Sequence, residues 1–228
     1  MIEDFSAWLA AIRSMTVTPE AAALYLNHRL RFTTAVAQEL CLLLAQSQQR
    51  LVYGIWLDGH SKPIYIGQTS NGRRRLWDLP IGESHHVSNS FPPEVWGRVV
   101  VVYWHQVLAS DAALARELQA SLLSSSKSES DSHLDAIGLG IEYLLQKRHQ
   151  PLFNSRKKRR DGTWHNIDWL ESKSQAAKIS ATLPELFERV DRIWQSLSEH
   201  SAAPDTSSFA VEGGRVVFPA AVRGKIAA

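Results

Sequence analysis

The apolar positions along this chain describe a mixed α and β middle between two helical flanks. Phe5–Ile12 and then a longer stretch from about Pro19 to Gln49 carry apolar residues at helical spacing. Thr18 stands before Pro19 as a cap, with the proline at the first helical position, where a missing N–H is tolerated. Leu40, Leu43 and Leu44 fall on one helical face and read as core. The pattern changes at Leu51. Leu51–Leu57 (LVYGIWL) and Pro63–Gly67 (PIYIG) are β-branched and aromatic runs on either side of Asp58-Gly59, a turn signal, and predict a hairpin.

Further along, Arg73–Leu79 begins a helix, with mostly loop from Pro80 through Gly82 to Pro92-Pro93. Arg98–Val107 (RVVVVYWHQV) is the strongest strand signal, and its unbroken apolar run implies burial on both faces. Asp111 caps a helix over Ala112–Leu123, the serine-rich Ser124–His133 reads as an exposed loop, and a helix from about Leu134 is stopped before Pro151. Pro184–Ser198 is amphipathic, with Leu186, Val190, Ile193, Trp194 and Leu197 on one stripe. Residues 200–213 read as a linker and Arg215–Pro219 as a short added strand.

Composition narrows the class. With 228 residues and 44% hydrophobic content the chain can bury a core. The longest purely apolar runs, such as Val99–Trp104, last about six residues, far short of the roughly 20 a bilayer span needs. The first residues carry acids where a secretory signal carries positive charge, so a cytoplasmic location is expected. A single cysteine, Cys41, excludes a disulfide framework and a cysteine-built zinc site. The net charge of +2 conceals a local asymmetry. Between Tyr143 and Arg160 stand Lys147, Arg148, Arg156, Lys157, Lys158, Arg159 and Arg160, and no acid. Such a block is either a solvated surface or a nucleic-acid contact.

Several polar residues stand where local structure does not require them. Tyr53 and Tyr65 lie on adjacent hairpin strands, Arg75 follows a turn containing Asn71-Gly72, Glu142 sits on an apolar and basic helix, and Asn154 ends Pro151-Leu152-Phe153-Asn154. Two phenols, a guanidinium and a carboxylate suit phosphodiester hydrolysis. The carboxylate holds a divalent cation, and the guanidinium stabilises charge developing on phosphorus. A phenol orients or deprotonates water, provided nearby cations lower its pKa from about 10. The plainer alternatives are half-buried hairpin tyrosines and a Glu142 paired with Gln146 or Lys147. His105, in a buried strand, reads as a satisfied core histidine.

The ordered series resembles the GIY-YIG nuclease superfamily. Leu51-Val52-Tyr53-Gly54-Ile55 is similar to its first motif, with Leu51 in place of the usual glycine, and Tyr65-Ile66-Gly67 is similar to its second. Eleven residues separate the two tyrosines, and twelve positions lead from Glu142 to Asn154. The ending IEYLLQKRHQPLFN most resembles that of type II restriction endonucleases in the superfamily. The resemblance implies a small α/β core, a three-stranded mixed sheet of about 51–57, 63–68 and 98–107 packed with helices. Around it would lie an N-terminal helical extension (1–50), the nuclease core (51–160) and a C-terminal helical extension and tail (161–228).

By the same resemblance, Glu142 would bind one Mg2+, Arg75 would contact the scissile phosphate, and Tyr53 would act as base or position the water. Tyr65 would support the nucleophile or phosphate, and Asn154 would brace the site. Arg73, Arg74, Lys147, Arg148 and Arg156–Arg160 would contact duplex DNA, and a palindromic target would call for a homodimer or higher oligomer. A structure-specific repair or mobile-element nuclease and a catalytically silent DNA-binding module are the alternatives. The chain departs from the family in three respects. A second register, Gly54-Ile55-Trp56, puts a tryptophan where the phenol belongs. The usual histidine four residues after the arginine is Leu79, leaving His85 or His86 to substitute. Glu117, on the helix after the buried strand, rivals Glu142 as the metal ligand.

Overall fold

A computed structural model describes residues 17–42, 49–82, 87–125, 130–154, 156–158, 164–166, 174–199 and 209–218. Helix α1 (Pro19–Leu42) leads into β1 (Leu51–Leu57) and β2 (Tyr65–Thr69), followed by α2 (Gly72–Ile81) and the short α3 (Val87–Ser90). Next come β3 (Trp96–Val102), α4 (Trp104–Ala109), α5 (Ala112–Ser125) and α6 (Ser130–His149). A ribbon of β4 (Arg156–Lys158) and β5 (Trp164–Asn166) precedes α7 (Gln175–Ser180), α8 (Pro184–Ser198), β6 (Ala210–Glu212) and β7 (Arg215–Val217). Among the described residues no helix is long and apolar enough to cross a membrane. The helix expected at Phe5–Ile12 lies outside the described residues.

Strand alternation sorts the core into two layers, one on each face of the sheet. On one face Val52 and Trp56 of β1 join Val100 and Val102 of β3 beneath α4, α5, α6 and α8. On the other, Leu51, Tyr53 and Ile55 join Val99 and Val101 beneath α1 and α2. Helix α8 buries Leu186, Phe187, Val190 and Trp194, whereas Ile193 of the expected stripe stays 40% exposed. Trp194 packs so closely on β1 that a Cβ at Gly54 would lie 2.5 Å from its ring. That approach requires glycine there, whatever else the motif does.

The sheet differs from the expected one. It has five strands in the order β2-β1-β3-β7-β6 and is antiparallel throughout, not three-stranded and mixed. Strand β7 falls in the Arg215–Pro219 run expected as a short added strand, whereas the three-residue β6 lies in the stretch expected as linker, too short for a two-residue period to stand out. Gly213 and Gly214, at φ 52° and 104°, turn the chain between them, and β7 then pairs with β3. The added strand makes β3 internal, and every β3 residue is buried, as its apolar run implied. Residues beyond 160 therefore share the core with the sheet through α8 and β7.

Three element boundaries also move. The apolar run Arg98–Val107 splits, because Trp104 and Leu108 lie one helical turn apart and reach the same core as Val100 and Val102. Helix α2 continues through Pro80 to Ile81, where Gly82 in the left-handed region closes it with an N–H to Asp78 carbonyl bond of 2.9 Å. Helix α6 starts at Ser130, inside the stretch expected as loop. It ends at His149, followed by Gln150 at φ 46° and then Pro151.

Candidate active site

Strand β2 is an edge strand, and the site forms along its outer side. Antiparallel pairing sets Tyr53 opposite Gly67 and Ile55 opposite Tyr65, bringing the two phenols onto one face with ring centroids 6.0 Å apart. Gly67 makes this possible: a Cβ there would lie 2.6 Å from the Tyr53 hydroxyl. Trp56, the phenol position in the alternative register, points into the opposite core layer, where it stacks with Trp194 and lies beneath Arg98. Tyr53, and not Trp56, thus shares a face with Tyr65.

The outward-facing backbone groups of Ile66 are claimed by side chains from two distant elements. Its N–H donates to Asn154 Oδ1 at 2.7 Å, and its carbonyl accepts from Gln146 Nε2 at 3.0 Å. Phe153 N–H donates to the Ile64 carbonyl at 2.8 Å, so residues 152–154 run alongside the strand edge and cover it. Phe153 then packs on Tyr65 and on Phe91, forming an aromatic wall. Asn154 accordingly braces β2 and is not placed to ligate.

Arg75 comes from α2, which Asn71 caps by accepting the Arg74 N–H at 3.2 Å. The Arg75 side chain has no hydrogen bond or ion pair among the described residues, yet its charge acts on Tyr53, Tyr65 and Glu142. A cleft of about 250 Å³ opens beside it, lined by Thr69, Asn71, Arg74, Arg75 and Asp78. Glu142 approaches from α6, whose Ile141 and Leu145 anchor it in the core. Its Oε1 accepts from Gln146 Nε2 at 2.8 Å, while Oε2 takes no hydrogen bond among the described residues. Glu117, by contrast, is exposed on α5.

The electrostatics favour protons on the site. Burial pushes Glu142 up to about 7, against the opposing hydrogen bond from Gln146 and the charge of Arg75. Burial raises Tyr65 to about 12, with Glu142 adding to it. Tyr53, almost fully buried, is held well above 10 by burial and then by Tyr65, outweighing Arg75. The surroundings that the folded chain gives the two phenols raise their pKa values, the opposite of what a tyrosine base requires. Tyr53 stands there as a neutral phenol.

The basic residues part company. Arg148 is engaged internally, donating to Asp191 at 2.7 Å and Glu188 at 2.6 Å and lying over the Phe187 ring. Its guanidinium, expected to contact DNA, is shared between these two carboxylates while its side chain stays 40% exposed. Lys147, Arg73 and Arg74 are exposed. Arg156–Lys158 form β4, paired with β5 in a ribbon separate from the main sheet. His85, His86, Arg159 and Arg160 lie outside the described residues. His105 sits on α4 rather than in a strand, its Nδ1 2.6 Å from the Arg50 carbonyl. Neither family models, curated proteins nor solved structures give a match to this chain.

Among the described residues no three His, Cys, Asp or Glu side chains are grouped to hold a metal. A single carboxylate nevertheless fits Mg2+, which keeps several waters and is held by one or two carboxylates together with substrate phosphates. Glu142, with one oxygen oriented by Gln146 and the other without a hydrogen bond among the described residues, meets that requirement. The donor set does not fit a zinc site.

Proposed function

We propose that this protein is a Mg2+-dependent DNA endonuclease of the GIY-YIG type, cutting a short palindromic duplex site as type II restriction enzymes do. One observation carries the reading. Two phenols, a guanidinium and a desolvated carboxylate, drawn from β1, β2, α2 and α6, act on one another at a single sheet edge. Packing alone does not call for a half-buried carboxylate beside two phenols, because its burial opposes its charge.

In this reading Glu142 holds the cation, and Mg2+ when bound offsets negative charge at the phosphoryl oxygens. Arg75 supplies the second positive charge, at the centre where charge develops. Tyr53 remains a neutral hydrogen-bonding group that orients the attacking water, with Tyr65 holding it through the hydroxyl pair. Arg74 and the cleft beside Arg75 receive the flanking backbone. Exposed Leu26 and Leu30, one turn apart on α1, offer an apolar surface for a second copy, which a palindromic site would require.

The test is digestion of a sequenced plasmid with Mg2+, beside Glu142→Ala, Arg75→Ala and Glu117→Ala. Discrete bands are expected from wild type and Glu117→Ala, and none from the other two variants. Smearing, or cutting confined to branched substrates, would favour a structure-specific enzyme. Binding without cleavage by wild type would identify a silent DNA-binding module.

A further inference from the structure

We infer that Gln146 is a positioning residue that aims the Glu142 carboxylate by tying it to the backbone of the edge strand that carries Tyr65. The inference rests on the nuclease reading and adds to it a residue that the resemblance does not supply.

One nitrogen of Gln146, Nε2, lies 2.8 Å from Glu142 Oε1 and 3.0 Å from the Ile66 carbonyl. Both neighbours are acceptors, so only the –NH2 end of the amide satisfies them, and the flipped amide would set oxygen against oxygen twice. The two N–H bonds are thereby used completely. Position 146 follows 142 by one turn on α6, so the pair shares a helix face, and Ile141 and Leu145 anchor that stretch in the core. The Ile66 carbonyl lies between Tyr65 and Gly67, the residues that set the second phenol and admit the Tyr53 hydroxyl. Gln146 thus fixes the carboxylate relative to the strand that carries Tyr65 and leaves Oε2 as the oxygen that would hold the cation. A side chain serving only to cover the strand edge would have no need to hold the carboxylate as well.

Mn2+ binding to full-length protein with duplex DNA, followed by the electron paramagnetic resonance of the free ion, tests this independently of cleavage. The variants are Gln146→Met, of similar volume without donors, Gln146→Asn, one methylene too short to span both acceptors, and Glu142→Gln. Wild type is expected to bind and Glu142→Gln to lose binding. Gln146→Met should bind about 10–100-fold more weakly, the cost usual for an outer-shell partner of a metal ligand. Gln146→Asn should weaken binding in the same direction, and it decides the matter should the methionine variant not fold. Unchanged Mn2+ affinity in the Gln146 variants, with only the melting temperature lowered, would overturn the positioning role and leave the nuclease reading intact. Absence of Mn2+ binding and of cleavage in wild type would overturn both.

Discussion

At the scale of single residues, the site is built against the preferences of its own groups. Glu142 illustrates the cost. Its folded pKa of about 7 lies above the ordinary value of 4.5, so the folded state favours the protonated acid. The stability associated with that proton is complete below about pH 4.5 and is lost as pH rises through 7. Glutamine in its place does not titrate. Glu142→Gln should therefore melt with wild type near pH 4 but several degrees higher at pH 8, about 1–2 kcal/mol after allowance for partial exposure. Calorimetry at the two pH values checks this. A lower melting temperature for the variant at pH 8 would mean that attraction to Arg75 outweighs burial. Gly67 is a second case, since the space it leaves is occupied by the Tyr53 hydroxyl.

At the scale of elements, the last turn of α6 is held to two different elements. Gln146 ties it to β2, and Arg148 and His149 tie it to α8 through Asp191, which is 1% exposed. Gln195 also donates to this carboxylate. Burial pushes the Asp191 pKa up, but the hydrogen bonds from His149 and Arg148 prevail and hold it below its ordinary value of 3.8. Its stabilisation is thus present above about pH 4 and is lost as pH falls through the lowered pKa. Asp191→Ala should cost about 1.5–3 kcal/mol at pH 7, because it removes the buried carboxylate that accepts from Arg148, His149 and Gln195, donors that solvent partly reaches. The loss should shrink between pH 4 and pH 2, as read from urea midpoints. An equal loss at every pH would assign the effect to packing alone.

At the scale of the whole molecule, the proposed DNA contact separates exposed Arg73 and Arg74, the latter only 3.9 Å from Asp78 on its own helix, from Arg148, which is bound to α8. Removing one phosphate contact lowers the salt slope of binding by about 0.9. The double variant Arg73→Ala/Arg74→Ala should therefore flatten the slope by about 1–2 and weaken all duplexes alike. Arg148→Ala should leave the slope unchanged and lower the melting temperature instead, because its guanidinium is bound to Glu188 and Asp191. Fluorescence anisotropy across a salt series separates the two outcomes. A slope altered by Arg148→Ala would return that residue to the DNA surface.

How much of this was legible in the chain depends on whether the signal is local. The order Tyr53, Tyr65, Arg75, Glu142, Asn154 and the pairing of Glu142 with Gln146 could be read from the sequence, because hairpin register and helical turn are short-range geometry. So could α8, whose bounds Pro184–Ser198 match its apolar stripe. Tertiary contact alone decided that β7 pairs with β3, that Trp104 starts a helix, and that Arg148 answers to residues some forty positions away. It also decided the protonation of the site. A tyrosine or glutamate has the same letter whether buried or exposed, and only desolvation by the folded chain carries its pKa upward.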